Sequence, residues 1–137
     1  MSVEFALQTA LFEGLSGSAE LSALGVSIYD VPPQSEDGEP AGDFPQIAMG
    51  RMISIPLDTS SRVGFDVVIR IHTRSATGSL KECREIQAHI YKLLHREPLA
   101  VAGFNMFSLR RESSDCDRDP DRIIHGVCEF RALIETS

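Results

Sequence analysis

Asp115, Asp117, Asp119 and Asp121 occupy every second position of "SSDCDRDPDRIIHGVCEFRALIE", residues 113–135. Carboxylates are the donors that a hard divalent cation takes, so their chemistry would be that of a cation-binding loop. An EF-hand loop also needs a glycine at its sixth position and a carboxylate at its twelfth. Counted from Asp115, those places hold Pro120 and Gly126. Proline fixes φ near −65° and glycine offers no side-chain ligand, so the pattern fails at the two positions that make it specific. The flanks read as strands where helices are required. The expectation is a solvated hairpin turn, with Arg118 and Arg122 offsetting the acids.

His72, His89, His95 and His125 are the candidate general bases. His89 and His95 are not four residues apart, so they cannot make a helical metal pair. His72 and His125 fall on the polar faces of two strands and could be neighbours, but no nucleophile stands beside them. Ser60-Ser61 and Ser113-Ser114 flank turns and read as turn formers. There is no glycine-rich phosphate loop, no GxSxG elbow and no HExxH. Arg110 and Arg111 are adjacent in a strand and point to opposite faces, one of them toward Glu129 or Asp66. A solvated cross-strand ion pair is the ordinary reading of such a pair. The spacing calls for no catalytic residue, no cofactor and no metal. It describes a protein that works by contact.

These residues need a scaffold, and the chain can supply one. Its 137 residues, 42% of them hydrophobic, suit a single domain with a core of its own. No apolar run approaches the ~20 residues that span a bilayer, and no secretory leader is visible. Cys83, Cys116 and Cys128 are odd in number and lack CxxC spacing. That argues against a disulfide framework or a zinc site and fits a reducing compartment. Cys83 and Cys128 lie on apolar faces and read as small core residues. The net charge is −7, and residues 1–62 carry nine acids against only Arg51 and Arg62. Without a basic stripe the chain is a poor candidate for gripping nucleic acid, because phosphate neutralisation supplies most of that affinity.

Residues 3–15 predict a helix through Phe5, Leu7, Leu11 and Phe12, with Ser2 as N-cap and Gly14 as its stop. "SGSAELSALG" predicts a connector or a helical turn, and 26–31 a short strand ended by Pro32-Pro33. "PPQSEDGEPAGDFP", 32–45, has four acids and no base and predicts a mobile acidic surface loop. Residues 46–59 and 63–74 alternate with period two. The first puts Ile47, Met49, Arg51, Ile53 and Ile55 on one face. The second puts Phe65, Val67, Ile69 and Ile71 against Asp66, Arg70, His72 and Arg74. Pro56 marks an edge or a bulge. The clearest helix follows Ser79, whose capping box closes with Glu82 and whose apolar face is Leu80, Cys83, Ile86, Ile90, Leu93 and Leu94. Pro98 stops it. Strands follow at 104–112 and 122–135, the last with Ile124, Cys128, Phe130, Ala132 and Ile134 inward and His125, Glu129 and Arg131 outward. The expectation is one α+β domain, 1–137, in the order αβββαββ, with a mostly antiparallel sheet and two α-helices packed on one face.

Set in order, the segments "ALQTALFEGL", "IYDVPPQ", "FPQIAMG", "FDVVIRIHTRSATGSLKECREIQAHIYKLLH", "EPLAVAGFNMFSLRRESS" and "DPDRIIHGVCEFRALIE" resemble the tail-completion family. These are the tail terminator, or tail-to-head joining, proteins of long-tailed bacteriophages and gene transfer agents. The resemblance implies a structural virion protein, not an enzyme, assembled in the bacterial cytoplasm. It implies a homo-oligomeric ring, usually hexameric, that caps the tail tube, ends tube polymerisation and meets the head–tail connector. DNA would pass through the opening without specific binding, and no membrane is involved. Another neck protein of the same particle, or a small ligand-binding or enzyme domain, are the competing readings. On charge and position, the expected interaction residues are Glu36, Asp37, Glu39 and Asp43 of the acidic loop, Arg51, Asp58 and Arg62 of the hairpin, and Arg110 and Arg111.

Overall fold

A computed structural model describes every residue except Met1, Pro32, Glu39, Pro40, Pro98, Asp121 and Arg122. The strand end at Pro32, the loop acid Glu39, the helix stop at Pro98 and the turn members Asp121 and Arg122 therefore lie outside the described residues.

The chain forms α1 (Val3–Ser16), α2 (Ala19–Ala23), β1 (Ser27–Tyr29), β2 (Gln46–Pro56), β3 (Gly64–Ser75), α3 (Leu80–Leu94), β4 (Phe104–Arg118) and β5 (Ile124–Thr136). One five-stranded sheet runs β1-β2-β3-β5-β4. Among the described residues β1 and β2 pair in parallel, and β2–β3, β3–β5 and β5–β4 pair antiparallel. The fold is α+β, as expected, and the last strand is inserted next to the centre of the sheet.

Alternation explains that position. Phe65, Val67, Ile69 and Ile71 of β3 lie opposite Ile134, Ala132, Phe130 and Cys128 of β5, so two apolar rows meet on one face. The helices close over them. From α1 come Val3, Leu7, Leu11 and Leu15, four residues apart, and from α3 come Cys83, Ile86, Ile90 and Leu94. Phe5, placed on the inner stripe by sequence, is 62% exposed, because the four-residue rhythm that starts at Val3 leaves it off the stripe.

Caps fix where the helices begin. Ser2 Oγ accepts from the Phe5 amide at 3.2 Å, and Ser79 Oγ from the Lys81 amide at 3.2 Å. The expected capping box does not close. Glu82 instead accepts from Ser75 Oγ at 2.6 Å, which ties the start of α3 to the end of β3. The Ser79 amide is taken by Thr77 Oγ1.

Two strand expectations are corrected. β4 continues six residues past 112, because β5 is long enough to pair Asp115 with Val127 and Asp117 with His125. The alternating acids are therefore largely a strand, and the turn itself is closed by the Asp119 amide donating to Ile123 O at 2.8 Å. In β2 the register slips between Met49 and Met52. A bulge of this kind reverses the sides of every later residue. Met52 and Ser54 turn toward the helices, and Ile53 and Ile55 turn away.

Candidate interaction surfaces

The bulge leaves an apolar strip on the sheet face away from the helices. Ile53 and Ile55 are 43% and 57% exposed, and Leu57 and Val63 beyond them are 47% and 48% exposed. Half-buried Val68 lies beside Ile53 in register. The hairpin tip that carries Leu57 and Val63 is held by its own bonds, Leu57 N to Gly64 O at 2.8 Å and Thr59 N to Arg62 O at 2.9 Å. A contiguous exposed apolar strip next to a sheet edge is a typical contact surface.

The two sheet edges differ. β1 covers β2 only from Gln46 to Ala48, so among the described residues β2 beyond that point has no strand on its outer side. β4 is also an edge strand, but α3 and the segment after it occupy its outer polar groups. The Arg96 amide donates to Leu109 O at 2.7 Å, the Arg111 amide to His95 Nδ1 at 3.0 Å, and Gln87 Nε2 to Asp115 O at 2.6 Å. The Arg111 guanidinium lies 4.3 Å from the Tyr91 ring centroid, on the helix side. Covered edges resist strand addition; the uncovered one invites it.

Beyond the apolar strip the open face carries cross-strand ion pairs. Arg131 Nε donates to Asp66 Oδ1 at 2.8 Å, and its Nη1 lies 3.8 Å from Glu112. Arg70 meets Glu129 at 3.3 Å, and Arg62 meets Glu135 at 3.4 Å. The hydrogen bond from Arg131 holds the Asp66 carboxyl below its ordinary range, and that carboxylate in turn raises the Arg131 guanidinium. Sequence reasoning offered Asp66 or Glu129 to the Arg110–Arg111 pair; the geometry gives them to Arg131 and Arg70. Arg110 faces Arg131 across the register.

The candidate bases do meet. His72 Nδ1 and His125 Nε2 are 2.8 Å apart, and Asp119 Oδ2 lies 3.6 Å from His125 Nδ1. Burial pushes His72 down to about 4, helped by His125, Arg74 and Arg70. The backbone of Gly50 makes the room: a Cβ there would fall 2.5 Å from His72 Cδ2. Among the described residues no group of three or more His, Cys, Asp or Glu side chains is arranged to hold a metal ion. Among them, too, no helix is long and apolar enough to cross a membrane.

A contact protein built on this sheet has a family. Residues 9–135 match the family model described as Tail completion protein gp17. The chain belongs to that family. The family is structural, one of tail completion and not of catalysis. No curated protein matches the chain. Among solved structures it is similar to a chain in the virion of a native gene transfer agent (GTA) particle. The TM-score is 0.84 at 19% identity, with 98% of each chain covered, which is a likeness of fold.

In this tail completion chain the residues singled out by charge do not converge. Glu36, Asp37 and Asp43 are exposed in the acidic loop, whose backbone is tied by the Asp43 amide to Tyr29 Oη at 3.1 Å and by Gln46 Nε2 to Ala41 O at 2.9 Å. Glu39 lies outside the described residues. Arg51 is exposed at the bulge. Asp58 is a turn former, its carboxylate accepting from the Gly64 amide at 3.3 Å. Arg62 is engaged with Glu135, and Arg110 and Arg111 lie on opposite faces of β4. What sequence reasoning missed is the outward turn of Ile53 and Ile55. Gly50, isolated inside a strand pattern, was the available signal for a bulge.

Proposed function

We propose that the chain assembles as a ring, six-fold on the family resemblance, on the end of the finished tail tube. There it stops tube polymerisation and meets the head–tail connector, as a component of a virion assembled in the bacterial cytoplasm. The observation that carries this reading is the match to the tail completion family over residues 9–135. The gene transfer agent likeness supports it, since that protein sits in a virion.

A closed ring needs a heterologous contact, in which two unlike surfaces of one subunit meet those of its neighbours. The uncovered outer side of β2 and the strip of Ile53, Ile55, Leu57 and Val63 supply one of them. The net charge of −7 suits an opening that passes DNA without holding it. The acidic loop with Glu36, Asp37 and Asp43 contributes to that field or meets a basic patch on a neighbour.

The test is electron microscopy of particles from a producer strain lacking this gene, beside a complemented control. Tails of uncontrolled length, detached from heads, are expected. Normal tails on filled heads would remove the terminator reading. Capped tails that fail to join heads would make the chain a neck component on the connector side.

A further inference from the structure

We propose that Cys83 and Cys116 form a latent disulfide site, open in a reducing cell and closed by a small-molecule disulfide once the chain meets oxidising surroundings. The two Sγ atoms stand 2.8 Å apart, and both thiols are free. A formed bond is about 2.05 Å, so closure asks for a shift of under an ångström between the sulfurs.

The site is built, not accidental. Cys83 projects from the first turn of α3, and Cys116 turns toward the helices from β4 where it pairs with Gly126. Gly126 makes the seat, since a Cβ there would fall 2.5 Å from Cys83 Sγ and 2.5 Å from Gln87 Nε2. Gln87 fixes the approach. Its Nε2 donates to Asp115 O at 2.6 Å, and its Oε1 accepts from Cys116 Sγ at 3.0 Å. The helix and the strand are thus held together whether or not the sulfurs are joined.

The environment divides the roles. Cys116 is part-exposed beside a cavity of about 600 Å³ lined by Arg84, Ala88, Tyr91 and Arg111. Cys83 is buried, and its thiol is pushed far up, first by desolvation and then by Cys116. Cys116 is therefore the thiol that meets the reagent. Its thiolate attacks one sulfur of oxidised glutathione. The reagent S–S bond breaks, a mixed disulfide forms on Cys116, and one glutathione thiolate leaves. That thiolate takes the Cys83 proton. Cys83 then attacks Cys116 Sγ, and the second glutathione leaves as a thiolate that takes up from solvent the proton Cys116 had released. Two protein thiols are oxidised to one disulfide, and one glutathione disulfide is reduced to two thiols. Cys128, fully buried, stays reduced.

The disulfide itself does not depend on the tail-completion reading; only its timing, at release of the particle, rests on it. The test treats the full chain with dithiothreitol or with oxidised glutathione, then counts thiols with Ellman's reagent in denaturant. Three thiols should fall to one, in a species that remains a single chain on a non-reducing gel. A digest should yield one peptide pair joining Cys83 to Cys116. Cys116→Ser should abolish the change and Cys128→Ser should preserve it. The oxidised chain should melt at a higher temperature than the reduced chain. Three thiols persisting after oxidation, a bond to Cys128, or inter-chain dimers would each overturn the proposal.

Discussion

Ser54 on β2 donates its hydroxyl to the carboxylate of Glu4 in the first turn of α1. The contact exists because the bulge before Met52 turns Ser54 to the helix side. It is also the main reason the Glu4 carboxyl is held below its ordinary value of 4.5. Ser54→Ala should move the Glu4 titration, read by NMR, back up toward 4.5. The sign for stability follows. A depressed carboxylate contributes stability above its unfolded pKa and loses it as pH falls through the folded value. The variant should therefore lose stability at neutral pH and show less further loss on acidification. An unchanged Glu4 midpoint would mean the bond is absent in solution.

Phe130 is wholly buried on β5, opposite Ile69 on β3 and Arg111 on β4. Phe130→Ala should cost about 3–5 kcal/mol in urea unfolding. A cost under about 1 kcal/mol would contradict the burial of this face.

The inward rows of β3 and β5 were legible because strict alternation over many residues has only one reading. The α3 stripe was legible for the same reason at a helical period. The β2 faces were not. A period-two pattern says nothing about an inserted residue, and "MGRM" slips the register in the middle of an otherwise regular strand. The acids after Ser113 read as a turn because aspartates are turn formers and Arg118 and Arg122 offset them. Pairing with the full length of β5 overrides that preference. The nearness of Cys83 to Cys116 depends on how α3 lies over the sheet, which no spacing along the chain encodes.

His72 and His125 share a hydrogen bond on the open face, with Arg70 and Arg74 on β3 and Asp115 on β4 nearby. His72 should therefore protonate near 4, against its ordinary 6.5, in an NMR titration. Its folded pKa lies below its unfolded one, so the unfolded chain takes the proton first. The stability tied to His72 is intact above pH 6.5 and is lost as pH falls from 6.5 toward 4. His72→Gln should flatten that part of the stability–pH curve. A midpoint near 6.5 would show the ring to be solvated.

Glu36, Asp37 and Asp43 are exposed, and their removal by Glu36→Gln, Asp37→Asn and Asp43→Asn together should leave folding within about 0.5 kcal/mol. If the loop acts through its field, particle assembly in the complemented producer should lose part of its salt dependence. Unchanged assembly and unchanged salt dependence would remove the loop from any interface.

Ile55 separates folding from assembly most cleanly. It is 57% exposed, faces away from the helices, and stands on the stretch of β2 that β1 does not cover. Ile55→Glu removes little buried area, and the new carboxylate lies opposite Asp66, whose charge Arg131 already meets, so the thermal midpoint should fall only slightly. A carboxylate buried against a neighbouring subunit is a different matter, because its desolvation is uncompensated unless a cation lies opposite. The variant should be soluble and folded, yet fail to restore tail length in the strain lacking the gene. Arg111→Ala, on the helix side of β4, serves as the comparison and should restore it. If Ile55→Glu restores normal tails, the subunit contact lies elsewhere than the open end of β2. If both variants fail while remaining folded, the contact extends to the covered edge of β4 as well, and the ring joins the two edges of the sheet.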